Sequence, residues 1–357
     1  MSFDPVDTTC RAEGELTMLF VQDELWGTSV TQDQVNEFMH RFELFGVEGS
    51  WDSELGIIYA NQAVFGDLDR STFPGEKLHI FIVDADGRGD GYVCPTAMGW
   101  CDFVNLHLDG VLLEVGSDES LSVAAHETFH IIHHFIDADE ELWMDESLAE
   151  AAMLVNGYYT DRAWVQSFMR NTDINWGPGD PEHGDTNYGA FLLWGAFLWE
   201  IGGVELLASI TEERGNGWAG LTAALTAEGI TTSIEDLYLD FVVALGLSDV
   251  DAGYGFEFAD IAAAQRRGTL AVGDTRETSV NPYGIDFFEL ESVGTMTITP
   301  SGDLTDLTVL AVVDGADELQ ILDLTEGGTI ELAEGDDAFL AVTVMGLESA
   351  EYTLIVE

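Results

Sequence analysis

The chain has 357 residues, 67 of them acidic and 11 basic, for a formal net charge of −56. Hydrophobic residues make up 46% of it, with nine Trp and 20 Phe, which is enough for one large domain or two ordinary ones and too apolar for global disorder. Nucleic acid and anionic membranes bind clustered Lys and Arg, so both are excluded as partners of a chain whose only lysine is Lys77.

Such a surface favours solubility and repels itself unless salt screens it, which points to salt water or brine. No run of about 18 apolar residues is present, so no membrane insertion is expected. The start, "MSFDPVDTTCRAEGE", has neither a basic region nor an apolar stretch of the secretory kind. The expected location is nonetheless extracellular, with the cytoplasm of a salt-in halophile as the alternative. Cys94 and Cys101 flank "PTAMGW" and can close a small disulfide loop, leaving Cys10 over; three buried thiols are the other option.

In chain order, residues 1–13 read as an N-terminal extension. Residues 14 to 115 read as mixed α/β, with "ELTMLFV" and "KLHIFIVD" as strands and "TQDQVNEFMHRFELF" as a helix capped by Thr31. The Gly/Asp turn "DADGRGDGY" from Asp84 resembles a Ca2+ loop, but Arg88 falls where that pattern wants Asp or Asn, and a plain turn is the better reading. Residues 117 to 250 are helix-rich: a histidine helix capped by Ser117, then "MDESLAEAAMLVNGYY", then "NYGAFLLWGAFLWEIGG", apolar on most sides and ending at Gly202 and Gly203. From residue 268 the pattern changes to short β runs separated by Gly/Asp turns, as in an all-β sandwich. The fold class expected is α+β: a domain over 14–267 with a small mixed sheet and a helix-rich part, followed by a β-sandwich over 268–357.

The stretch "VAAHETFHIIHHFID" carries the chemistry. His126-Glu127-Thr128-Phe129-His130 is H-E-x-x-H, which on a helix puts two imidazoles on one face, Cβ atoms about 5–6 Å apart, able to share one zinc ion. Glu127, about 100° round the helix, suits a general base that takes a proton from an activated water. His133 lies about 10.5 Å along the axis from His126, too far for both to hold one ion. The third-histidine pattern of metzincins also fails, with His at 133 and Ile at 136, so His133 and His134 are expected to be bystanders to the ion that pack near the site, contact a substrate or stand partly exposed. The third ligand is expected from the next helix, where Glu146 and Glu150 share a face: Glu146 completes His2Glu, and Glu150 accepts the N–H of a ligand imidazole, with His126 as the expected partner. Asp145 is the competing ligand.

H-E-x-x-H followed by "WMDESLAE" resembles the gluzincin zinc metallopeptidases, and most closely the hyicolysin-type neutral zinc metallopeptidase family. Three places carry the likeness: a Gly-Tyr turn (Gly91-Tyr92), the two-helix zinc site, and a Tyr-Gly helix start (Tyr188-Gly189). Ser147 stands where relatives usually have Gly, and the spacing from His130 to Glu146 is short beside thermolysin-like relatives. The resemblance implies that the domain over 14–267 is zincin-like and that the chain is a zinc endopeptidase acting on protein or peptide substrates. It also implies a donor to the oxyanion, for which Tyr188 is the candidate and His183 the alternative. The competing function is a non-catalytic secreted binding protein with a structural or degenerate zinc site. Retention of Glu127 weighs against it, since a structural zinc has no use for a base.

Overall fold

The computed structural model describes residues 6–87, 89–94, 102–179, 185–302, 304–316 and 318–357. The chain is mixed α and β, and it divides into two compact units. The first is Met1–Thr160 with Ile201–Ile230; the second is Asp161–Glu200 with Thr231–Glu357.

The first unit opens with strands β1 (Thr8–Glu13) and β2 (Thr17–Gln22), helices α1 (Gln32–Met39) and α2 (Ile57–Phe65), and strands β3 (Leu78–Val83), β4 (Gly91–Cys94) and β5 (Asn105–Asp109). The strands form one sheet in the order β1-β2-β3-β5-β4, parallel at β2-β3 and β3-β5 and antiparallel at both edges. Residues 8–13, expected in an extension, are therefore an edge strand. Alternation along β2 and β3 sends Leu19, Val21, Ile80 and Ile82 into the core and leaves Phe20, His79 and Phe81 half-buried on the other face. A buried carboxylate fastens the start of β2: Glu43 accepts from the backbone N–H of Glu15 and Leu16, at 2.8 and 3.0 Å, and from the Thr17 hydroxyl. Thr31 caps α1 through a capping box with Gln34, as its sequence predicts.

Gly91 and Tyr92, expected in a turn, are instead the first residues of edge strand β4. A Cβ on Gly91 would stand 2.4 Å from Val123 Cγ1, so glycine lets this strand lie close on helix α3 (Asp118–Ile136). At Asp84 the chain makes a turn in which the side chain accepts from the Asp86 N–H at 2.9 Å; Arg88 lies outside the described residues. Cys94 is disulfide-bonded and Cys10 is a free thiol, while Cys101 lies outside the described residues.

Ser117 caps α3, and α4 (Leu142–Val155) packs beside it. Two buried asparagines brace the pair: Asn61 on α2 donates to the Ala125 carbonyl on α3 at 2.8 Å, and Asn156, just past α4, donates to Asn61 Oδ1 at 2.6 Å. Helix α5 (Arg162–Arg170) precedes α6 (Asp185–Glu212), which is interrupted at Gly203, with φ 67° and ψ −168°. The interruption falls where the sequence predicts the helix to end. By length and composition the span Asn187–Glu212 could cross a membrane, and 61% of its apolar window is buried. Helix α7 (Gly217–Ala227) returns to the first unit: its Gly217 N–H is held by Glu140 at 2.7 Å, and Trp218 packs 4.5 Å from the ring of Trp143.

In the second unit, α8 (Ile234–Leu247) is followed by strands β6 (Gly268–Leu270), β7 (Thr275–Val280), β8 (Ile285–Leu290), β9 (Gly294–Gly302), β10 (Leu307–Asp314), β11 (Leu319–Asp323), β12 (Gly328–Leu332), β13 (Asp337–Val344) and β14 (Ala350–Val356). They form two sheets, β11-β10-β13-β8-β6 and β12-β9-β14-β7, around one apolar core that includes Phe288, Ile298, Val309, Leu340 and Leu354. The β-rich character begins at residue 268 as expected. The unit to which it belongs is larger, because α5, the first part of α6, and α8 pack with the strands. The contact is close: a Cβ on Gly246 of α8 would meet the Phe339 ring at 2.5 Å, and Tyr238 bonds to both the Tyr283 carbonyl and the Thr343 hydroxyl.

Candidate metal centre

Helix α3 presents His126 and His130 one turn apart, and α4 presents Asp145, Glu146 and Glu150 against them. The two imidazoles point their Nε2 atoms at each other across 3.0 Å. Two ring N–H groups cannot both donate into so short a gap, so at least one of the two nitrogens turns its lone pair toward it. Glu146 Oε2 lies 3.2 Å from His126 Nε2 and 3.7 Å from His130 Nε2, and it is buried without a hydrogen bond. A buried carboxylate oxygen in this state is costly unless a cation compensates it, whether a protonated imidazole or a bound metal ion. Among the described residues, His126, His130 and Glu146 are the group whose ligand atoms all lie within 4.8 Å of one another. Two imidazoles and one carboxylate so placed could hold a metal ion.

The nitrogens turned away from this point are engaged too. Glu150, 1% exposed, places Oε1 3.2 Å from His126 Nδ1, the pairing its spacing predicts. Asp145, the competing candidate, is placed differently. It lies on the Nδ1 side of His130, with Oδ2 at 3.0 Å, and its other oxygen is 2.6 Å from His133 Nδ1. His133 is therefore no loose neighbour: it is 1% exposed and tied to the site through Asp145. His134 is half-buried beside the ring of Phe135. The sequence missed the Asp145 bridge. The three-residue spacing of His130 and His133 puts both rings on one face of the helix, but does not say which carboxylate of the next helix they meet.

Charge coupling in the cluster is strong. Burial alone would depress His126, but the carboxylates of Glu146 and Glu150 outweigh it and push the imidazole up to about 10. His130 is likewise raised, against the pull of burial, by Asp145 and Glu146. Burial would raise Glu146, and the two imidazoles bring it down to about 2. Glu127, 8% exposed, is raised, chiefly by burial.

No family model matches this chain. No curated protein matches it either. Among solved structures, it is similar to the pre-peptidase C-terminal domain of collagenase from Bacillus anthracis, at 9% identity over 27% of this chain and 100% of that one, with a TM-score of 0.21. It is also similar to PliG, a periplasmic inhibitor of g-type lysozyme, from Aeromonas hydrophila at 16% identity over 25% of this chain and 95% of that one, TM-score 0.20. The Salmonella Typhimurium PliG gives 10%, 25%, 96% and 0.19 respectively.

The structure thus brings together His126, Glu127, His130, Glu146 and Glu150. Tyr188 belongs to the second unit, where it stands in the first turns of α6, half-buried and edge-on to Phe191. His183 lies outside the described residues.

Proposed function

We propose that this chain is a zinc-dependent endopeptidase of the gluzincin kind, with a zincin-like fold in its first unit. His126, His130 and Glu146 would hold the ion. The observation that carries the reading is the convergence of two Nε2 atoms and a buried, unbonded carboxylate oxygen, with Glu127 beside them on the same helix. When bound, zinc supplies a Lewis acid that polarises a carbonyl and makes water acidic enough to react near neutral pH. Glu127 is the general base: its carboxylate takes the proton as the water oxygen attacks the peptide carbonyl, and delivers it to the leaving amine. Glu150 accepts the Nδ1 proton of His126, so that Nε2 keeps its lone pair for the ion. The acidic surface suits an enzyme released into salty surroundings and acting on protein or peptide substrates.

The test pairs zinc content with casein hydrolysis in high salt, for wild type and Glu127→Gln. About one zinc per chain is expected in both, with hydrolysis only in wild type. An active Glu127→Gln protein, or an active wild type without zinc, overturns the reading.

A further inference from the structure

We propose that His133, acting through Asp145, is a positioning residue for His130, so that the three side chains form a relay from the core to the metal site; this rests on reading His126, His130 and Glu146 as that site. Asp145 stands in the first turn of α4 and gives one carboxylate oxygen to each of two rings on α3, at 3.0 Å to His130 Nδ1 and 2.6 Å to His133 Nδ1. Three residues apart on one helix, those rings project from neighbouring points of one face and can reach a single carboxylate.

The consequence lies in the freedom that each bond removes. A carboxylate held at one oxygen still turns about Cβ–Cγ and exchanges its oxygens. Held at both, by donors in different directions, it is fixed. A fixed Asp145 draws the His130 ring proton to Nδ1, which leaves Nε2 as the basic nitrogen, and Nε2 is the atom that faces His126 at 3.0 Å. His133 is itself immobile: it is 1% exposed, and its ring lies 5.1 Å from that of Phe129, so it cannot turn away from Asp145 without opening the core. Orientation therefore runs from the packed interior of α3, through α4, to a ligand nitrogen on α3. Glu150 stands in the same relation to His126, with Oε1 3.2 Å from its Nδ1.

The test uses the full chain in high salt, with His133→Phe and His133→Asn. Phe keeps the ring and removes the donor; Asn restores an N–H near the position of Nδ1. The first readout is hydrogen exchange of the His130 Nδ1 proton in metal-free protein, followed by 15N-edited NMR. The second is zinc affinity by competition with a chelator. In His133→Phe the ring proton is expected to exchange at least about 10-fold faster and zinc to bind about 10- to 100-fold more weakly, with Asn recovering most of both. Unchanged values in His133→Phe, or an Asn variant no better than Phe, overturn the relay. Should the Phe variant not fold, Asp145→Asn reads the same link from the other side. It removes the charged acceptor, and an unchanged exchange rate there also overturns the relay. A wild type that binds no zinc would instead defeat the metal reading, since the ring-proton measurement needs no metal.

Discussion

His107 lies between two aromatic rings on the half-exposed face of the first sheet, 4.5 Å from Tyr92 and nearly parallel to it, and 5.2 Å from Phe81. Its Nδ1 is buried without a hydrogen bond, and burial pushes the imidazole down to about 4. Between that value and its ordinary 6.5 the unfolded chain binds a proton that the folded chain refuses. Its contribution is therefore complete above about pH 6.5 and is lost as pH falls toward about 4, up to about 3 kcal/mol. Urea unfolding at pH 7.5 and 4.5 in fixed high salt should show a smaller loss for His107→Phe than for wild type; equal losses would discount the histidine. At the metal site, Glu146→Ala should lose most bound zinc, while Asp145→Ala retains a weakened site. The reverse ranking, read by metal analysis after dialysis, would exchange their roles. His126, Glu127, His130, Glu146 and Glu150 were legible as a cluster because helical spacing alone fixes which residues share a face. The place of Asp145 was not, because which side of an imidazole a carboxylate meets depends on how two helices are offset along their axes.

At the scale of elements, the buried Asn61–Asn156 pair and its bond to the Ala125 carbonyl tie α2 to α3 and to the end of α4. Asn61→Ala leaves the Asn156 amide short of a partner in the core, and should cost about 1–3 kcal/mol in chemical denaturation and weaken zinc binding with it. A stability loss with zinc affinity intact would separate the brace from the site. Gly91→Val drives a side chain into Val123 on α3 and should destabilise by about 1–3 kcal/mol. Strands β2 and β3 and helices α1, α3 and α4 were readable from periodicity and caps. Strand β1, "TTCRAE", was not: it is a polar edge strand, held by backbone pairing that leaves no apolar signature. Nor did the sequence show that α5 and α8 belong with the strands, since an apolar helix face does not say which surface it will cover.

Over the whole molecule, eleven cations cannot offset 67 acids, so most carboxylates meet only one another and solvent. Thermal midpoints should rise with NaCl or KCl alike, mostly below about 1 M, where the Debye length has already shrunk to roughly 3 Å. A flat or falling midpoint over that range would remove charge repulsion as the limit on stability. The division into two units has a further consequence, for synthesis. The chain leaves the first unit after Thr160, returns at Ile201 and departs again after Ile230, so the first unit is not a contiguous piece of the chain. As a ribosome extends it from the N-terminus, α3 and α4 emerge well before α7, whose Trp218 covers Trp143 at the start of α4. A nascent chain halted at residue 160 therefore holds all five residues of the metal cluster but lacks the helix that closes over one end of α4. Its completion waits for some seventy further residues, translated through α5 and the first part of α6, which belong to the other unit.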